Sequence, residues 1–200
     1  MEMDMTVLPD DVIPFNLSDT EFNEAVTFAY HALTHQDHTH ADLLRQWVQV
    51  LMDELAERMV IHWLRSNGKL AEPATDKGAT HPALRHEIWV TDIRGVNVKA
   101  AIYTALSTHK SDVPSLLRAH SLSVDPDQMC GINFSVGYWL QLREKPRIKI
   151  PSLQQAAIIG WASDKNFREV VKSREAHHYK YVAIKFCDLR PVNELLQFLV

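Results

Sequence analysis

Apolar residues recur at three- and four-residue intervals through Leu44, Val48, Leu51, Leu55 and Met59, which predicts a long helix over 41–66 that Asn67-Gly68 stops. Trp47, Val50, Val60, Ile61 and Leu64 fall on its remaining faces, so this helix is apolar nearly all round and is expected at the centre of the core. An earlier helix is marked by Phe22, Val26, Ala29 and Leu33. Ser18 and Glu21 precede it at capping-box spacing. Beyond a polar stretch at 69–84 the period changes from helical to two.

That alternation reads as strands. Residues 86–90 and 96–100 flank Asp92-Ile93-Arg94-Gly95 and predict a hairpin. Ile132 to Leu142 is a further strand, with Ile148-Lys149-Ile150 returning beyond Pro146. Ala156 to Ala162 and Tyr179 to Phe186 are strand candidates, and a short helix is expected from Pro191. Two helices before a mixed sheet point to an α/β or α+β layer architecture.

Two hundred residues, 46% hydrophobic and 23% charged, suit one globular domain and exclude disordered or disulfide-framework classes. Cys130 and Cys187 match no thiolate metal spacing, and their scarcity suits a reducing compartment. No signal-like start and no membrane-length apolar run is visible, so the expectation is a cytoplasmic protein with no membrane contact.

Net charge is −4, but residues 1–80 carry −9 and residues 81–200 carry +5. The basic half includes Lys165, Arg168, Lys172 and Arg174, interleaved with Phe167, Val170 and Val171. These residues form either the cationic face of an amphipathic helix that meets DNA phosphates or an ordinary solvated helix face. His31, His35, His38 and His40 are the densest titratable cluster. With no acid in a His-Glu-x-x-His arrangement, they read as a solvated loop rather than a metal site.

The hairpin carries the sharper chemistry. Asn97 and Lys99 project to one side of their strand, and the acid that joins them depends on register. A two-residue Arg94-Gly95 loop sets Asp92 across from Asn97. A three-residue Ile93-Arg94-Gly95 loop instead pairs Thr91 with Asn97 and Trp89 with Lys99, and brings Glu87 to that face. Asp92 also suits a plain turn-starting role. Glu57 is a carboxylate on the most apolar helix, where burial is costly without a cation or donor; Glu54 is its neighbouring substitute.

An acid on one hairpin strand, a residue-x-lysine pair on the next and a preceding glutamate helix together resemble the PD-(D/E)XK nuclease superfamily. Glu57 to Leu64 and Gly68 resemble its glutamate helix, and Asn133 to Tyr138, Ile158-Ile159-Gly160-Trp161 and Leu189-Arg190-Pro191 resemble later segments, over roughly residues 50–195. The resemblance implies a restriction-endonuclease-like α/β fold, a central mixed sheet flanked by helices. It divides the single domain into a helical extension at 1–40 and a nuclease-like core at 41–200. It also implies DNA phosphodiester hydrolysis with Mg²⁺ or Mn²⁺ held by Asp92 or Glu87 and residue 97, water assisted by Lys99, Glu57 in support, and homodimers suited to cutting both strands. The second acidic position is Asn97, and a neutral amide binds a divalent ion less strongly than a carboxylate. A degenerate DNA-binding or assembly module of the same fold, or a helical interaction domain, is the alternative.

Overall fold

The computed structural model describes residues 7–15, 18–34, 43–74, 86–107, 113–124, 131–141, 152–166, 169 and 182–200. Strand β1 (Ile13–Phe15) is followed by helices α1 (Asp19–Thr34) and α2 (Leu43–Ser66), then by β2 (Ala71–Pro73), β3 (Glu87–Thr91) and β4 (Asn97–Ser107). Helix α3 (Val113–Ala119), β5 (Ser121–Val124), β6 (Ile132–Gln141), β7 (Ser152–Ser163) and β8 (Val182–Lys185) complete the chain, with 3-10 turns at Phe186–Asp188 and Val192–Phe198. The segment after Pro191, expected as a helix, forms the second of these turns.

Six strands form one mixed sheet in the order β1-β7-β6-β4-β3-β2, and β5 pairs with β8 separately. Neighbours in the main sheet are antiparallel except β4 and β6, which run parallel and are joined through α3 and β5. The fold is therefore α/β with a mixed sheet flanked by helices. Pro73 ends β2 at the edge of the sheet, where its missing N–H leaves no ladder bond unmade.

Each face of the sheet has its own core. Ala25, Ala29 and Ala32 of α1 and Leu51, Leu55, Met59 and Leu64 of α2 pack with Ile88, Val90, Ala100, Ile102, Phe134 and Ile158. On the other face Leu116 and Leu117 of α3 pack with Ile159, Ile184, Phe186 and Leu189. The capping box forms as its spacing implies: Glu21 N–H donates to Ser18 Oγ at 3.2 Å and Ser18 N–H to Glu21 Oε2 at 3.0 Å. Helix α2 ends at Gly68, whose φ of 71° is left-handed. At the sheet's β2 end the segment 198–200 is stitched to the hairpin, Ile93 N–H bonding Phe198 O and Val200 N–H bonding Thr91 O. Among the described residues no helix is long and apolar enough to cross a membrane.

Candidate functional site

The hairpin adopts the three-residue loop. Gly95, with φ at 77°, closes it, and Thr91 pairs with Asn97, Trp89 with Lys99 and Glu87 with Ala101. Asp92 is engaged by the turn. Its Oδ1 accepts from the backbone N–H of Arg94 at 2.9 Å and of Val96 at 3.0 Å, and its Oδ2 accepts from the Arg94 guanidinium at 2.8 and 2.6 Å. The Val96 N–H bond, then Arg94, holds the Asp92 carboxyl below the usual carboxylate range.

Glu87 is thus the acid on the face of Asn97 and Lys99. Lys99 Nζ lies 2.8 Å from Glu87 Oε2 and 5.4 Å from the centre of the Trp89 ring, while Thr91 Oγ1 donates to Asn97 Oδ1 at 3.0 Å. Among the described residues this face offers one carboxylate, already paired with a lysine, and one amide oxygen, fewer oxygen donors than Mg²⁺ takes.

Glu57 stands on the opposite face. Side chains alternate along β3 without a bulge, so His86, Ile88 and Val90 face α2 while Glu87, Trp89 and Thr91 face away. Nδ1 of His86 lies 3.1 Å from Glu57 Oε2, within hydrogen-bond distance. Glu54, one turn earlier, is fully buried and accepts from Arg58 Nε at 2.8 Å; Arg58 also reaches Glu24 at 2.5 Å. Ligand atoms of Glu54, Glu57 and His86 lie within 4.8 Å of one another. Two carboxylates and an imidazole suit Mn²⁺ or Zn²⁺ better than Mg²⁺, which favours an octahedron of oxygens. Glu57 also lines an open cavity of about 550 Å³ with Glu21, Arg58, His62, Arg65 and Pro73.

Asp53 extends this polar seam along α2. It accepts hydrogen bonds from Thr104 of β4 and from Gln49 Nε2, the latter at 2.9 Å. Burial pushes its pKa up, against the opposing pull of His86 and these hydrogen bonds.

The structure therefore divides the expected cluster of Glu57, Asp92, Asn97 and Lys99 into three places: the α2 face, the turn, and the opposite sheet face. Lys165 is exposed, 3.9 Å from Glu169. Arg168, Lys172 and Arg174 lie outside the described residues, as do His35, His38, His40, Cys130 and Ile148-Lys149-Ile150. His31 is exposed on α1, edge-on to Tyr30. The sequence reading missed His86 as a functional group. The available signal was alternation, which sets residue 86 on the same face as Ile88 and Val90. Protein-family models, curated proteins and solved structures yield no match to this chain.

Proposed function

We propose that this chain is a nucleic-acid-binding domain of nuclease-like architecture whose hairpin does not cut. The observation that carries the non-cutting half of the reading is the Lys99–Glu87 ion pair at 2.8 Å on the sheet face opposite Glu57, while the nucleic-acid half rests on the resemblance to the nuclease pattern. A lysine paired with Glu87, on the sheet face away from the helix glutamate, is not placed to share a metal or a water with it. The glutamate helix ahead of the hairpin and the mixed sheet flanked by helices support kinship with the PD-(D/E)XK pattern at the level of architecture.

Fluorescence anisotropy of a labelled duplex at several salt concentrations, beside cleavage assays in Mg²⁺ and Mn²⁺, tests it. Binding should weaken with salt by about 0.9 in log–log slope for each phosphate neutralised, and no cleavage should occur. Asn97→Asp should restore none, since the new acid still lies across the sheet from Glu57. Cleavage gained by Asn97→Asp and abolished by Lys99→Ala overturns the reading.

A second reading, a metal-dependent endonuclease, is favoured by the Glu54, Glu57 and His86 cluster. A divalent ion bound there would supply charge neutralisation and a more acidic water for phosphodiester hydrolysis. Cleavage in Mn²⁺ by the parent protein, lost in Glu57→Gln and indifferent to Lys99→Ala, selects this reading.

A further inference from the structure

Where the last turn of α2 meets the β2 edge of the sheet there is a second cavity, of about 400 Å³, lined by Arg65, Lys69, Glu72, Trp89, Thr91 and Asn97 with Leu70 and Ala71. It lies within the range of about 300–1,000 Å³ typical of small-molecule sites. Its two cations are held in place by neutral groups. Arg65 Nε donates to the carbonyl of Ala71 at 2.9 Å and Lys69 Nζ to the carbonyl of Leu199 at 2.7 Å. Neither makes an ion pair among the described residues, so both keep their charge for a ligand while losing little freedom on binding it.

The rest of the wall is of another kind. Trp89 is a half-buried aromatic surface, with the Lys99 ammonium 5.4 Å from its ring centre adding a cation–π contact. Thr91 and Asn97, side by side across the hairpin, supply a hydroxyl and an amide at the same cavity. Glu72, exposed on the edge strand, adds a carboxylate that repels a phosphate and accepts a hydroxyl. Fixed cations beside an aromatic wall, an amide and a hydroxyl acceptor match a molecule with an anionic group, a flat base and a sugar.

We infer that this cavity binds a nucleoside 5′-monophosphate unit, with its phosphate on Arg65 and Lys69, its base against Trp89 and an edge of that base on Asn97. Stacking on an aromatic side chain tolerates any base, so the amide supplies whatever selectivity there is. The site is a separate cavity from the one Glu57 lines, sharing only Arg65 with it, and it gives Asn97 a role that metal coordination does not.

Isothermal titration of the full chain with deoxyadenosine monophosphate, deoxyadenosine, inorganic phosphate and a 5′-phosphorylated single-stranded oligonucleotide tests it. The monophosphate should bind at least tenfold more tightly than either the nucleoside or inorganic phosphate. Lys69→Ala and Arg65→Gln should each weaken it about tenfold, the effect of one lost charge-assisted hydrogen bond, and Trp89→Leu should erase its advantage over inorganic phosphate. Each variant is first matched to the parent in thermal midpoint. If Trp89→Leu fails that match, Lys69→Ala and the nucleoside comparison decide. Tighter binding of the oligonucleotide assigns the site to a strand end, and equal binding assigns it to the free nucleotide. Failure of both nucleotide probes to bind, or inorganic phosphate binding as tightly as the monophosphate, overturns the inference. Duplex binding without nucleotide binding overturns it while leaving the proposed function standing.

Discussion

Glu57 and His86 hold each other in place across the boundary between helix and sheet, carboxylate to imidazole at 3.1 Å, with both side chains buried. His86→Ala should destabilise the protein by about 1–3 kcal/mol, the usual result of leaving a buried hydrogen-bonding group without its partner, and Glu57→Gln by less, because an amide still meets an imidazole. Replacing both with leucine should recover most of the loss. Urea unfolding midpoints of the three variants check this.

Asp53 gives the α2 seam a pH dependence. Its folded pKa is raised above the ordinary 3.8 by burial, so the folded state holds the proton more tightly than the unfolded chain. As pH rises from 3.8 through the folded value, the charge becomes a growing liability to the fold. Asp53→Asn, whose amide still accepts from Thr104, should therefore gain stability relative to the parent as pH rises through that window, and show no such gain below it. Thermal unfolding of both proteins as a function of pH measures the difference.

Asp92 has the opposite sign. Its folded pKa lies below 3.8 through hydrogen bonds from Val96 and Arg94, so its contribution is present above 3.8 and is lost as pH falls through the folded value. Asp92→Ala should speed amide hydrogen exchange at Arg94 and Val96 and, if the proposed DNA binding holds, leave duplex affinity unchanged. A fall in DNA affinity with unchanged exchange would return Asp92 to the binding site.

A Cβ at Gly160 would sit 2.8 Å from the carbonyl oxygen of Arg190 and 3.0 Å from the Leu189 Cβ. That carbonyl accepts from Trp161 N–H, so it cannot withdraw without loosening the bridge between β7 and the 190 segment. Gly160→Ala should cost about 1–3 kcal/mol through overpacking, and differential scanning calorimetry should record a midpoint lower by about 2–4 °C for each kcal/mol.

What was legible in the sequence was local. The Ser18–Glu21 cap, the stop at Gly68 and the alternation of 86–90 against 96–100 each depend on neighbouring residues, and each appears in the structure. The hairpin register was narrowed to two possibilities, and the positive φ of Gly95 corresponds to the one that brings Glu87 to Lys99. The relation of Glu57 to the hairpin was not legible. Helix α2 buries both apolar and polar residues, so its periodicity does not say which flank meets β3, and a helix presents no period that ties it to one face of a sheet. His86 was hidden for a similar reason: alternation assigns it a face, but only the packing of α2 shows that a carboxylate waits there.

The pairing of β1 with β7 has a consequence in time rather than in space. Ile13 lies against Ile158, and Val7 N–H reaches the carbonyl of Cys187, so these residues find no partner until about 145 to 180 more have been made. At a synthesis rate of about 5–20 residues per second the β1 segment waits for seconds beside a helical pair that can already collapse around Ala25 and Leu55. Long-range contacts of this kind slow folding, because the loop must close before the strand is rewarded. The second layer, held through Val7 and Val12, is therefore completed late, and a chain interrupted before β7 is made leaves β1 without its partner and the edge of β6 open as a template for other strands.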